Sequence, residues 1–228
     1  MHAELLPGCG LCPYHADERI CKRPDGKSPE NCPTAGRTGL RDACLERMKN
    51  DPALLRFARE AAWVEGAGYS HKDSTARPVR PRIAEIIDFC QRMGYKRLGL
   101  VFCNGLRHEA AATQKILEAH GFEPVSVTCK VGGTLKSELG LPPQAQVNPK
   151  CPESMCNPLM QAEICNAAAV DFNILLGLCV GHDSVALRHL KAPATVFAVK
   201  DRLLGHNPLA AIYTLKSYSR YLERPEEH

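Results

Sequence analysis

Four cysteines at the ends of predicted structural elements are the residues most able to do chemistry in this sequence. Cys103, Cys129 and Cys179 each follow an apolar, strand-like run, and Cys156 directly precedes a helical pattern. Thiolates select soft metals such as zinc and copper(I), and they hold iron–sulfur clusters. We therefore expect Cys103, Cys129, Cys156 and Cys179 to bind a metal ion or an iron–sulfur cluster together. The alternative is that two or three of them are buried core thiols.

A second cysteine set lies in the first 45 residues, in a stretch rich in proline, glycine and charge. Its members are Cys9, Cys12, Cys21 and Cys32. Metal–thiolate bonds can supply the folding free energy that a segment with few large apolar residues lacks. The spacing does not select the metal, because zinc modules usually carry two tight cysteine pairs and iron–sulfur clusters accept irregular spacing. A thiol-rich disordered arm is the alternative.

The composition excludes several classes of protein. The chain has 228 residues, enough for a proper core, and its 29 basic and 25 acidic residues form no long run of one charge. No nucleic-acid or membrane partner is therefore indicated. We expect a cytoplasmic protein, since there is no signal-peptide pattern and no apolar run of the roughly 20 residues that span a bilayer. In that compartment twelve cysteines point to metal or redox chemistry more than to disulfides.

Hydrophobic periodicity predicts the elements that must position these thiols. Strands are expected over 97–102, 123–129, 172–178 and 195–199, with helices over 106–120, 157–168 and 183–190 between them. The fold class is therefore α/β: a mostly parallel sheet of about four strands flanked by helices, in a domain over 46–228 that follows the cysteine-rich segment 1–45. Loops after parallel strands share one edge of a sheet, where ligands bind.

Polar residues in the same loops are candidates for a reaction. Lys130, His182 and Lys200 are predicted to position a substrate or transfer a proton. Residues predicted to bind substrate are Arg107, Gly132, Gly133 and Asn207. The cations could instead tune a cluster through hydrogen bonds to sulfur, or they could pair only with neighbouring carboxylates. The sequence contains no dinucleotide fingerprint, P-loop, nucleophile elbow or H-E-x-x-H motif.

The other four cysteines are expected to have no central role. Cys44 lies in a helical pattern and Cys90 on the apolar face of another, so both are predicted to be packed. Cys151 and Cys165 are interpreted as spare thiols, although Cys151 is close enough to Cys156 to substitute for it as a ligand.

Taken together, these motifs resemble a prokaryotic family of uncharacterised cysteine-rich proteins that are predicted to bind metal. The resemblance covers nearly the whole chain. Its motifs are Cys9-x2-Cys12, Asn31-Cys32-Pro33, Phe102 to Ala110, Cys129 to Gly133, Met155 to Pro158, Gly177 to Ser184 and Val199 to Pro208. The resemblance implies metal binding and supplies no reaction.

The function expected from the sequence is that of a cytoplasmic iron–sulfur protein with two cysteine-ligated sites and clusters of the 4Fe–4S type, the N-terminal site being structural or electron-relaying. One zinc site and one cluster is a further possibility that both spacings allow. The site at the sheet edge would be redox-active or catalytic on a small anionic or sulfur-containing molecule. An electron-transfer protein is the expected partner if the site does not act on a small molecule. The alternative is a non-catalytic sensor, store or carrier that binds zinc or another soft metal, with zinc favoured most at the N-terminal site.

Overall fold

A computed structural model describes residues 6–70 and 75–223 of the chain. The chain forms two compact units, one ending at Trp63 and the other beginning at Val64. This division falls inside a helix and comes later in the chain than the boundary at residue 45 suggested by the sequence. Each unit is described separately below.

The first unit consists of short helical turns and has little core. Two 3-10 turns, Cys9–Leu11 and Ala16–Glu18, precede helices α1 (Pro33–Gly36), α2 (Thr38–Asn50) and α3 (Pro52–Ala67). Helix α3 begins where the sequence predicts, because the Asp51 carboxylate accepts hydrogen bonds from the N–H groups of Ala53 and Leu54, at 3.1 and 3.0 Å. The two turns, α1 and α2 bury no residue. Hydrophobic packing therefore contributes little to this segment.

The second unit is built on a parallel sheet. Its elements are β1 (Tyr69–Ser70), β2 (Arg77–Pro78), α4 (Arg82–Met93), β3 (Arg97–Phe102), α5 (Arg107–Ala119), β4 (Glu123–Thr128), α6 (Pro158–Ala167), β5 (Phe172–Leu178), α7 (His182–His189), β6 (Ala194–Val199) and α8 (Leu209–Tyr213). Strands β1 and β2 form a small antiparallel pair. The main sheet has the order β4-β3-β5-β6, with every pair parallel. The predicted α/β class and four-stranded sheet are confirmed.

The central strand β5 shows why the sheet forms. All seven of its residues are buried, as its continuous apolar run predicts for a strand covered on both faces. Leu175 packs in a cluster with Cys165 of α6 and Ala186 of α7. Its neighbour Leu176 points to the opposite face, as successive side chains of a strand do, and lines a cavity with residues of α5.

The strand order places a crevice at the carboxyl edge of the sheet. From β3 the chain proceeds to β4 on one side, and from β5 it proceeds to β6 on the other. The loops after β3 and β5 therefore diverge, which is the arrangement that forms ligand sites in open α/β sheets. Cys103 and Cys179 begin these two loops.

Two details differ from the sequence-based expectation. Helix α7 begins at His182, after Gly181 at φ 83°, and no side chain caps it, whereas Asp183 or Ser184 was expected to do so. After Asn207-Pro208 the expected helical pair is reduced to α8 and a 3-10 turn, Arg220–Glu223. Across the described ranges, no helix is long and apolar enough to cross a membrane.

Candidate functional site

The four cysteines at the carboxyl edge of the sheet, here called the rim thiols (Cys103, Cys129, Cys156 and Cys179), lie close together. The Sγ atoms of Cys129 and Cys156 are 3.5 Å apart, and Cys103 is hydrogen-bonded to Cys129. Cys179 is near enough to Cys156 for the two to interact electrostatically. Residues that are distant in sequence thus converge, as the loop positions predict.

Backbone hydrogen bonds hold the rim loops to one another. The Cys103 N–H donates to the carbonyl of Leu176 in β5, and the Cys129 N–H donates to that of Phe102 in β3, at 3.0 and 2.8 Å. The Asn157 N–H, beside Cys156, donates to the Cys129 carbonyl at 2.8 Å. The thiols are therefore positioned by the sheet itself and not by flexible loops.

One buried side chain fixes the ends of two strands beneath the rim thiols. Gln161 of α6 is fully buried, and its Nε2 donates to the carbonyls of Phe102 and Val127, at 3.1 and 2.7 Å. These residues lie at the ends of β3 and β4, just before Cys103 and Cys129. Sequence reasoning missed Gln161, because a lone glutamine in a helical pattern carries no motif.

Each rim thiol has its own positive partner. Arg202 donates from a guanidinium nitrogen to Cys179 Sγ at 3.0 Å, and the Asn104 N–H donates to Cys129 Sγ at 3.3 Å. The charges of Lys200 and Lys130 act on Cys103 and Cys156 respectively. Cations and backbone N–H groups beside thiols favour the thiolate form, which is the metal-binding form. Arg202 was not among the predicted site residues, although it follows Lys200 closely in sequence.

Within this group the negative charge concentrates on one sulfur. A hydrogen bond with Cys129 lowers the pKa of Cys156 to about 7, with Lys130 adding to the effect. The pKa of Cys103 is raised by its hydrogen bond to Cys129 and by burial. For Cys129 the hydrogen bond with Cys103 lowers the pKa, but the bond with Cys156 and burial together raise it. The three thiols therefore influence one another, and Cys156 is the one whose pKa is lowered.

The three residues predicted to be catalytic all lie around the rim thiols. Lys200 approaches through space left by glycine, since a Cβ on Gly105 would lie 3.6 Å from its Nζ and 3.9 Å from Cys103 Sγ. His182 is half-buried at the start of α7, and burial lowers its pKa despite Asp183. Lys130 donates to the Ser154 carbonyl and to Glu153.

The residues predicted to bind substrate occupy more peripheral positions. Arg107 is exposed at the start of α5 and bonds to His108 at 3.4 Å. Gly132 and Gly133 form the turn after β4 at φ 88° and 63°, a conformation that favours glycine. Asn207 is exposed, and its N–H donates to Leu204. Their proposed substrate roles stay predictions.

Glu153 organises the long irregular segment between β4 and α6. Its carboxylate accepts from Lys136 at 2.9 Å, Lys130 at 3.3 Å and the Val147 N–H at 2.8 Å. These partners, Lys136 foremost, lower its pKa to about 2. The segment that carries Cys156 is thereby tied to the loop that begins at Cys129.

The four N-terminal cysteines also converge, in a different manner. Cys9, Cys12, Cys21 and Cys32 all line one cavity of about 60 Å³ within the first unit. Hydrogen bonds from the N–H groups of Ala35 and Thr34 lower the pKa of Cys32, although burial opposes this. These thiols surround a space, whereas Cys129 and Cys156 of the rim touch each other.

The remaining cysteines divide by burial. All twelve are free thiols. Cys90 and Cys165 have no exposed surface, and burial raises their pKa values to about 12 and 11, as expected of packed thiols. The prediction that Cys44 is packed is wrong, because helix α2 buries no residue and Cys44 is exposed. Cys151 is exposed as well.

The rim thiols lie close together but are not arranged as a preformed metal site. Among the described residues, no group of three or more His, Cys, Asp or Glu side chains is already arranged to hold a metal ion. Cys129 is hydrogen-bonded to Cys156, and Cys179 accepts a hydrogen bond from Arg202. The donor set of four thiols with adjacent cations fits a thiolate-bound metal in its chemistry.

Fold and site together define a doubly wound α/β protein with a thiol-rich sheet edge and a cysteine-rich N-terminal segment. The chain belongs to the family described as "Protein of unknown function (DUF1847)", which matches residues 32–197. The matched range contains all four rim thiols, and it leaves out Cys9, Cys12 and Cys21. The resemblance to an uncharacterised family is therefore confirmed.

A relative is known from an archaeon. The uncharacterized protein MJ0455 of Methanocaldococcus jannaschii is 43% identical over 179 residues, which cover 78% of this chain and 86% of the relative. No solved structure matches the chain significantly.

Proposed function

We propose that this protein is a thiolate metalloprotein with two separate sites, an iron–sulfur cluster held by Cys9, Cys12, Cys21 and Cys32 and a second soft-metal centre held by the rim thiols. The observation that carries the proposal is the convergence of the four rim thiols, each beside a cation or a backbone N–H group. A cation or N–H donor beside each sulfur would offset part of the negative charge that metal ligation places on these thiols, which an ordinary thiol core does not need.

The N-terminal arrangement supports a cluster. A cluster of several irons bonds each thiolate to a different iron, so its ligands must surround a space instead of touching. All four cysteines line one cavity of about 60 Å³, which agrees with ligands arranged around a space. Donor N–H groups at Cys32 would also stabilise a negatively charged cluster.

A second candidate for the rim thiols, a single zinc or other soft ion, is favoured by one distance. Four thiolates around one zinc ion lie about 3.8 Å apart if each Zn–S bond is about 2.3 Å. The observed 3.5 Å between Cys129 and Cys156 is close to that value. This distance favours zinc at the rim, and the shared cavity favours a cluster at the N-terminal site, whereas the sequence made zinc the alternative mainly at the N-terminal site.

The bound metal would supply Lewis acidity or electron transfer, and the protein's own groups would balance charge and accept protons. Lys200 and Arg202 balance thiolate charge at Cys103 and Cys179. His182, whose pKa is lowered by burial, is placed to accept a proton near the thiols. A redox or catalytic role on a small anionic or sulfur-containing molecule, and a cytoplasmic location, belong to the proposal.

Anaerobic purification followed by spectroscopy and metal analysis tests the proposal. We expect a brown protein with broad visible absorption and acid-labile sulfide from the N-terminal cluster, together with one equivalent of a soft metal at the rim. A colourless protein that holds no iron, sulfide or zinc under these conditions would contradict it.

Serine variants assign each metal to its site. Cys12→Ser is expected to remove the cluster absorption and leave the rim metal, whereas Cys129→Ser should remove the rim metal and leave the cluster. Cys165→Ser and Cys151→Ser are matched controls, one buried and one exposed, and should change neither. Unchanged metal content in Cys129→Ser would rule out the rim site.

A further inference from the structure

A cavity of about 490 Å³ lies in the second unit, on the α5 side of the sheet. Its floor is Leu176 of β5 with Phe197 and Ala198 of β6, and its wall is helix α5. Strand β6 is only partly buried along its whole length, because α5 does not cover it completely. The volume is in the range typical of small-molecule pockets.

The cavity is partly open to solvent. Ile83 of α4 lines it, and the adjacent Arg82 ties α4 to β6 by donating to the Thr195 hydroxyl at 2.8 Å and the Val196 carbonyl at 3.3 Å. Gly205 and His206, in the turn after β6, also line the cavity.

The turn that carries His206 is rigidly built. The Asp201 carboxylate accepts from the N–H groups of Leu203 and Leu204, at 3.0 and 2.7 Å, and the His206 N–H donates to the Asp201 carbonyl at 3.0 Å. His206 adopts φ 67°, a left-handed conformation that is unfavourable for a residue with a side chain. Strained conformations of this kind concentrate at ligand-binding positions.

Three polar residues line a mostly apolar pocket, and one of them, Thr113, is occupied by donating its hydroxyl to the Glu109 carbonyl. The His206 Nδ1 accepts from the Asp201 N–H at 3.2 Å, so the Nε2 of the neutral ring is a donor. Glu109 is exposed at the border of the pocket, and its carboxylate can only accept. Among the described residues, neither Glu109 nor the Nε2 of His206 has a side-chain partner. A ligand that bonds to both groups must therefore accept from one and donate to the other.

We propose that this cavity binds a small uncharged molecule with an apolar body and one carboxamide-like group, whose carbonyl accepts from His206 and whose N–H donates to Glu109. The carboxylate disfavours anions, and the imidazole N–H disfavours ammonium groups. The same turn carries Lys200 and Arg202 to the rim thiols, so the pocket lies beside the thiol site. The proposal does not depend on which metal the thiols hold.

Titration of the full-length, methyl-labelled protein with benzamide tests the proposal by NMR. We expect shifts at Ile83, Ile116 and Ala198 that saturate with a dissociation constant of about 1 mM or tighter. Benzoate should bind at least about fivefold more weakly because of Glu109, and Glu109→Gln should reduce that difference. Absence of saturable shifts at these methyl groups, or equal binding of benzoate and benzamide, would overturn the proposal.

A pair of neighbouring substitutions locates the binding. Ala112 of α5 is exposed and lines the cavity. Its neighbour Ala111 on the same helix is also exposed but is not among the lining residues. Ala112→Phe is expected to weaken benzamide binding about tenfold by filling the pocket, whereas Ala111→Phe should leave it unchanged. Equal thermal stability of the two variants shows that both fold. Undiminished binding in Ala112→Phe would contradict the assignment.

Discussion

The two cysteine sets reach similar chemistry by opposite structural routes. In the N-terminal segment the thiols surround a cavity in short turns that bury no residue. At the rim Cys103 and Cys179 follow β3 and β5, which are the best-buried strands of the sheet. Under the proposed function, metal would stabilise the fold in the first case, and the fold would prepare the metal site in the second.

This difference predicts how each region depends on metal and on packing. Removing metal should destabilise the N-terminal segment most. Changing buried residues should destabilise the rim most. Four predictions follow, in order of decreasing effect.

Chelation under anaerobic conditions is expected to unfold the N-terminal segment and leave the sheet folded. Few buried contacts replace the metal–thiolate bonds over residues 6–34. Hydrogen exchange should show amides 6–34 losing all protection after metal removal, with β3 and β5 still protected. Equal protection of residues 6–34 with and without metal would show that the two regions do not differ as proposed.

Gly177→Ala is expected to destabilise the second unit by about 3 kcal/mol. Alanine is unfavourable in a left-handed backbone conformation, and its Cβ would overpack the site. Gly177 has φ 68°, and an added Cβ would overlap Leu106 at 2.0 Å. Urea unfolding followed at the amides of β5 measures the change.

Gly181→Ala is the matched control for that substitution. Gly181 has a similar φ of 83° with open space around it, so only the backbone cost of about 1 kcal/mol is expected. Equal destabilisation of the two variants would show that the Leu106 contact is unimportant.

Gln161→Met is expected to cost about 2 kcal/mol and to lower the rim metal content. The Val127 carbonyl would lose its Gln161 donor, and the Phe102 carbonyl would keep the Cys129 N–H. The loss is limited because the Gln161 Oε1 is itself buried without a partner among the described residues. Gln114→Met, at a partly buried position of α5 where the side chain donates to Glu118, should change stability by less than about 0.5 kcal/mol. Metal analysis together with urea unfolding separates this positioning role from simple packing.

Glu153→Gln is expected to have the smallest effect, and a pH-dependent one. The pKa of Glu153 is about 2, below its ordinary value of 4.5, so its contribution is full above pH 4.5 and is lost as pH falls toward 2. The stability difference between wild type and variant should therefore be constant near neutral pH and shrink in acid. A difference that does not change with pH would show that the charge of Glu153 is not responsible.

Much of the fold could be predicted because the strands are short apolar runs bounded by clear signals. The strand bounds of β3 and β5 agree with the prediction, since continuous burial produces an unmistakable pattern. The start of α7 was misplaced by one residue, because Gly181 at positive φ can precede a helix where a polar cap was expected. Cys44 was misjudged because the few apolar residues around it do not form a buried face on α2.

The sequence by itself determined that three thiols follow strands, that a fourth precedes a helix and that four more lie in a segment with few large apolar residues, because residue type and spacing are local properties. Only the tertiary structure decided which groups accompany them. Arg202 donates a hydrogen bond to Cys179, and Gln161 donates to carbonyls at the ends of two strands. Glu109 and His206 line the same cavity. These contacts join residues far apart in the chain, and their distances depend on how the sheet is ordered, which no local pattern encodes.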